Sequence, residues 1–371
     1  HSKLGSKLAS KVCSRLGLNK SESEMIEWLV ENHLLMSDVA QKRDLSDPRT
    51  VRDFATVVKS RTKLKLLTVL TICDIRGVGP EVWNNWKAQL LRKLYHITYK
   101  ALSSGLEDIG AIATVDEAQH TLKKKLVNWD PKIIEQELGR HYKSYWQGLN
   151  SEIHFIMANL LKNISNTEIK LELKPDKDKD ATMACFVMSD HPGIFSRLAG
   201  AVALAGANVV DARTYTSSDG FATAVFWLQH SKGTPYEEDG FTKLKKTIDN
   251  SLSGNVITRK ALNDKDKIKK RERDFHIPTE ILFDNEGSEI YTIIEVDTRD
   301  RPGLLFDLTS TISKANIYIA SAVIATYGVQ AVDVFYVKDL FGLKLHSKSK
   351  RDSLSKKLID AIDYGTKRAT S

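Results

Sequence analysis

Along the first 165 residues apolar side chains recur every three or four positions, as at Leu64, Leu67 and Leu70 followed by Ile75, and strand-like alternation is scarce. That spacing predicts a run of helices. The texture changes after Lys174-Pro-Asp-Lys-Asp-Lys-Asp180, a charged stretch with a proline that predicts a domain boundary. Thr182 to Ser189 reads as a strand, and Gly193 to Ala205 as a helix rich in small residues. Asn208 to Thr216 and Phe221 to Gln229 read as strands around a Ser217–Gly220 turn. Tyr236 to Asn250 predicts a second helix and Asn255 to Arg259 a short strand. The order βαββαβ is that of a split sandwich with helices on one face of an antiparallel sheet.

The pattern then returns. Asp190-His-Pro-Gly193 recurs as Asp300-Arg-Pro-Gly303, and the same offset of 110 positions pairs Leu198 with Leu308, Ala212 with Ala322 and Thr216 with Thr326. A constant offset through a helix and two strands predicts a duplicated domain. The expected plan is α+β: a helical domain over 1–165, then two βαββαβ copies over 180–262 and 279–371, joined by an exposed charged segment at 263–277.

Bulk properties narrow the function classes. Hydrophobic residues are 42% of the 371, enough for several cores, and charged residues are 27%. No apolar run approaches the ~18 residues of a spanning helix. Cys13, Cys73 and Cys185 lie far apart with no CxxC pair, which fits a reducing cytoplasm better than a disulfide framework. The formal net charge of +8 sits largely in clusters such as Lys267–Arg273, a texture commoner in solvated linkers than in nucleic-acid sites. P-loop, GxSxG and HExxH motifs are absent. The start at His1, inside a helical pattern, suggests residues missing upstream.

Two sets of residues carry candidate chemistry. In each Asp-x-Pro-Gly turn, Pro restricts φ and Gly permits a conformation closed to other residues, so backbone N–H groups at a helix start can approach a ligand. An amino acid's carboxylate suits that place, with Asn208 or Asp211 holding its amino or amide group. A plain strand-to-helix turn is the simpler account of one copy; duplication argues for a binding role at Asp190 and Gly193 and again at Asp300 and Gly303. The second set lies in the helical part. His1 shares a helical face with Leu4 and Leu8, His33 follows Met25 and Leu29, and Asp74 follows Leu67 and Leu70. Two imidazoles and a carboxylate on three helices suit a divalent cation. Each histidine alone also suits a hydrogen-bonded core, and Asp74 an ion pair with Arg76 or Arg43.

The stretch Ser189–Arg213 resembles an ACT domain, and Asp300–Thr309 with Ser321–Gly328 resembles a second. Asn32–Ser37, Gln41–Pro48, Asp74–Pro80 and Trp83–Lys87 resemble the HD phosphohydrolase domain of a family that carries the same ACT pair, the bifunctional uridylyltransferase/uridylyl-removing enzymes. The resemblance covers nearly the whole chain. It implies an HD-type helical domain with ferredoxin-like ACT domains that sense glutamine. It implies the PII nitrogen-signal protein as substrate, and hydrolysis of a uridylyl–tyrosine phosphodiester assisted by a divalent metal, magnesium or manganese. By it, His1, His33 and Asp74 correspond to metal positions, while the His-Asp doublet and the transferase domain are not in this sequence. The second copy departs with Tyr318 where the first has Asn208 and Ser321 where it has Asp211. A non-catalytic amino-acid-binding module and an HD/ACT alarmone hydrolase remain the alternatives.

Overall fold

The computed structural model describes residues 2–45, 47–79, 83–104, 115–230, 233–254, 277–301, 303–327 and 329–370. The chain forms two units, His1–Ile112 and Ala113–Ser371. The first is helical: α1 (Ser2–Arg15), α2 (Lys20–Glu31), α3 (Leu35–Lys42), α4 (Pro48–Val58), α5 (Arg61–Val78) and α6 (Asn85–Ser104). Its starts are written in local chemistry. Asn19 and Glu22 form a reciprocal capping box on α2, and Asp47 caps α4 just before Pro48. Met36, Phe54, Leu64, Leu67, Leu91 and Leu94 make the core.

The second unit begins with α7 (Val115–Lys125), α8 (Pro131–Arg140), α9 (Lys143–Gly148) and α10 (Ser151–Leu161), continues through β1 (Lys170–Asp176) and β2 (Ala181–Ser189), and then runs α11 (Ile194–Leu204), β3 (Asn208–Thr216), β4 (Phe221–Gln229) and α12 (Glu238–Leu252). After it come β5 (Glu280–Asp284), β6 (Thr292–Arg299), α13 (Leu304–Lys314), β7 (Ile317–Tyr327), β8 (Gln330–Asp339) and α14 (Lys348–Thr370). All eight strands form one antiparallel sheet in the order β1-β2-β4-β3-β7-β8-β6-β5. The 110-residue offset runs further than the sequence motifs: β1 and β5 begin at 170 and 280, and α11 and α13 at 194 and 304. The two halves meet where β3 pairs with β7, its own repeat mate. Ala212 lies opposite Ala322, flanked by Asp211 opposite Val323 and Arg213 opposite Ser321. A pseudo-twofold axis therefore passes between the two alanines, both fully buried.

The architecture is α+β, with ferredoxin-like halves as expected, but the strand beside β2 precedes it in sequence. The charged stretch expected to be a boundary is instead the end of β1 and a hairpin turn. Two of its charges are drawn onto the sheet: the Asp176 carboxylate accepts from the Trp227 indole N–H at 2.8 Å, and the Lys179 ammonium lies 2.7 Å from Asp211 and over the Trp227 ring. Pro175 is tolerated because β1 is an edge strand. The strand expected near 255–259 and most of the segment 263–277 lie outside the described residues.

The two faces of the first half-sheet are covered differently. Ala184, Phe186, Ala224 and Phe226 face Leu198, Val202, Leu244 and Ile248 of α11 and α12. On the other face Met183, Cys185, Val225 and Trp227 pack against Trp146, Ile153, Met157 and Leu161 of α9 and α10. Helices α7–α10 thus belong to the sheet's unit.

Candidate functional site

The first turn is built as its sequence requires. Gly193 sits at φ 85°, in the left-handed region, and no side chain caps α11. The N–H groups of that helix start are left to other partners. The Asp190 backbone N–H donates to the Gly220 carbonyl at 2.9 Å, and the Thr216 hydroxyl donates to the Asp190 carboxylate at 2.6 Å. The turn is thereby tied to the β3–β4 hairpin.

What faces this turn comes from the second copy. A Cβ built at Gly193 would lie 3.0 Å from Ser313 Oγ, at the end of α13. The half-buried Tyr318 hydroxyl donates to the Thr214 carbonyl at 3.3 Å. Burial pushes the Tyr318 phenol up, and the nearby charge of Asp190 adds to the effect. Asn208 is not at this site. It pairs with Gln229 at one end of β3, whereas the turn adjoins Thr216 at the other, eight residues or roughly 26 Å away along the strand. Across the pseudo-twofold, Asn208 is the counterpart of Tyr318. Tyr318 stands by the first turn, so symmetry puts Asn208 on the side of the second. Asp211 is 7% exposed on the opposite face, held by Lys179. These placements could not be read from spacing, because the side chains opposite the first turn lie about 120 residues away.

The second turn repeats Gly303 at φ 75° but has a different floor. Arg301 and Asp307 form a buried ion pair at 2.7 Å, and a Cβ at Gly365 of α14 would overlap the Arg301 guanidinium. The last turns of α14 thus press on Arg301, whereas the corresponding His191 is half-buried and pairs with Arg197. Beneath lies Asp333, 2% exposed, with Oδ1 lacking a hydrogen bond; Ala224 occupies the matching place in the first half. Burial, reinforced by Asp300, pushes its carboxyl well above the usual carboxylate range.

From the first turn a chain of polar contacts reaches α8. Beyond Gly220, the Ser218 N–H donates to the Arg140 carbonyl at 2.9 Å, and Arg140 Nε meets Asp219 at 3.1 Å. Arg140 also pairs with the buried Glu137 at 3.0 Å, and His141 lies 3.4 Å from the same carboxylate. His154 is fully buried beside Tyr145; burial holds its imidazole down to about 4. None of these residues stood out in the sequence, since a lone Arg or His in a helix carries no spacing signal.

Of the expected metal residues, His33 and Asp74 are described. His1 lies outside the described residues, and Leu4 and Leu8, with which it shares a face, are 75% and 63% exposed. His33 Nδ1–H donates to the Val30 carbonyl at 2.8 Å. Asp74 is exposed, a correction to its expected inward placement. The buried stripe of α5 is Leu64, Leu67, Thr71 and Ile75, and Asp74 is rotated by about 100° from its neighbour Ile75. Among the described residues no group of three or more His, Cys, Asp or Glu is placed to hold a metal ion; His1 stands outside them.

The fold and turns define tandem ACT-type domains, and a family described as the ACR family N-terminal ACT domain matches residues 288–363. Over its whole length the chain is similar to bifunctional uridylyltransferase/uridylyl-removing enzymes. Over its full length it is 62% identical to the enzyme of that name from Cereibacter sphaeroides and 56% identical to that of Ruegeria pomeroyi. The enzyme of the same name from Azospirillum brasilense is 43% identical over 98% of the chain. The chain spans about 40% of the length of these relatives and matches their C-terminal region.

Proposed function

We propose that this chain is the effector-sensing part of an enzyme that adds uridylyl groups to the PII signal protein and removes them, and that glutamine is the effector, bound at the Asp190–Gly193 turn. The observation that carries the proposal is the composition of that site. An uncapped helix start, which suits a carboxylate, faces Ser313 and Tyr318 of the other ACT copy. A ligand there touches both copies. Its occupancy therefore bears on how they pack, which is what a sensor needs.

The contacts from Asp190 through Gly220 and Asp219 to Arg140 supply a route by which the turn's state reaches α8. At the second turn the Arg301–Asp307 pair under Gly365 occupies the floor, which favours the first turn as the effector site. A metal-dependent uridylyl-removing centre, with magnesium or manganese, belongs to the proposal for the intact enzyme in the cytoplasm. No helix among the described residues is long and apolar enough to cross a membrane.

Isothermal calorimetry of the 371-residue chain with glutamine and glutamate tests this reading. Glutamine should bind more tightly, since its amide offers both donor and acceptor. Tyr318→Ala should weaken binding by on the order of 1–3 kcal/mol. Equal affinity for the two amino acids, or no effect of Tyr318→Ala, would remove the proposal. The chain alone should neither add nor remove uridylyl groups on PII, because it spans only about 40% of the length of its relatives; metal-dependent hydrolysis by it would contradict that part.

A further inference from the structure

Between α5 and α6 lies a cleft of about 460 Å³ that none of the functions above uses. Its walls are apolar and aromatic: Val69, Ile72, Leu91, Trp83 and Tyr95, with Ala88 at the base. On α5 the lining residues Lys65, Thr68, Val69 and Ile72 follow the i, i+3, i+4, i+7 spacing of one helical stripe, about 10 Å long. Helix α5 buries Leu64, Leu67, Thr71 and Ile75 in the core; on the cleft side Ile72 packs only partly against that core and Val69 is 60% exposed.

Charge selects among possible occupants. Lys65 and Arg92 line the cleft from opposite helices, and none of the described lining residues is acidic. Both are exposed, and among the described residues neither makes an ion pair or a side-chain hydrogen bond. Other cations of this unit lie over aromatic rings, Lys63 over Trp28, Arg61 over Tyr99 and Arg76 over Trp83; among the described residues Lys65 and Arg92 have no such contact. A volume in the range of small-molecule sites, walls suited to stacking, and these two cations at the edge define one chemistry. We infer that the α5–α6 cleft binds a small aromatic anion, its ring between Trp83, Ile72 and Tyr95 and its anionic group between Lys65 and Arg92.

The test uses 1-naphthyl phosphate as probe, with 1-naphthol as its neutral analogue and inorganic phosphate as the bare anion. Calorimetry on the 371-residue chain should show one site for naphthyl phosphate, not competed by equimolar phosphate. The double variant Lys65→Glu/Arg92→Glu, two exposed positions, should weaken it at least tenfold and leave naphthol binding unchanged. Val69→Trp, which fills the cleft from its rim, should exclude both aromatic probes while circular dichroism stays that of the wild type. Unaltered affinity in the charge-reversed variant, or displacement by phosphate alone, would overturn the inference. So would loss of binding in the intact gene product, which would identify the cleft as a packing surface for another part of the protein.

Discussion

Replacing Gly193 by alanine separates two costs that the structure sets side by side. Gly193 has φ 85°, and an L residue there costs roughly 1–2 kcal/mol in backbone strain. Its new Cβ would also lie 3.0 Å from Ser313 Oγ, closer than carbon and oxygen pack, and turning Ser313 off its rotamer costs about 0.5–1.5 kcal/mol more. Gly220 is an internal control, since it has φ 83° and a Cβ added there would meet nothing within 4 Å. Gly220→Ala should therefore destabilise the second unit by about 1–2 kcal/mol and Gly193→Ala by about 1.5–3.5 kcal/mol. Adding Ser313→Ala to Gly193→Ala should recover about 0.5–1.5 kcal/mol, because Ser313 Cβ is 4.0 Å away, while the same change in the wild type should cost little. The measurement is hydrogen exchange of the slowest amides in β2 and β4 under mild urea, paired with glutamine calorimetry. The reasoning fails if Gly193→Ala and Gly220→Ala cost the same and Ser313→Ala shows no coupling. The first turn would then not be pressed against the second copy, and the proposed site would lose half its wall.

Other outcomes follow from buried ionisable groups and from α14. Asp333 has a raised carboxyl pKa, so its contribution is most favourable below about pH 4 and is lost as pH rises toward the folded value; over that window stability should fall by about 1.4 kcal/mol per pH unit. Asp333→Asn should remove this slope, read as a urea-midpoint gain at about pH 7.5 that vanishes near pH 4. His154 works in the opposite sense: held down to about 4 by burial, its contribution is fully present above pH 6.5 and is lost as pH falls from 6.5 to 4, about 3 kcal/mol in all. His154→Gln should flatten that limb in parallel urea titrations at about pH 7.5 and 4.5. Gly365→Ala should cost about 1–3 kcal/mol by overpacking Arg301, yet leave glutamine binding at the first turn unchanged by calorimetry. A large loss of glutamine affinity in that variant would move the sensor to the second turn.

The strands β3 and β4 and the helix after Gly193 were legible in the chain because their signals are local. An alternating or 3.6-residue apolar pattern needs only neighbours to be read, and a Gly at positive φ announces its own turn. The duplication was legible too, as a repeat is a property of sequence alone. The β1–β2 hairpin was not, since Lys179 and Asp176 resemble a solvated linker until Asp211 and Trp227 are brought beside them. The same holds at the candidate site. Asp190 and Gly193 could be named from the motif, but the residues opposite them were decided by the antiparallel pairing of β3 with β7, which sets Tyr318 at Thr214 and carries Asn208 to the far end. Asp74 shows the limit from the other side: position on a helix predicts a direction, and only the packing of α5 decides whether that direction meets core or water. Contacts between residues about 120 positions apart depend on strand order and register, which no local pattern encodes, and that is why tertiary structure alone determined what faces the turn.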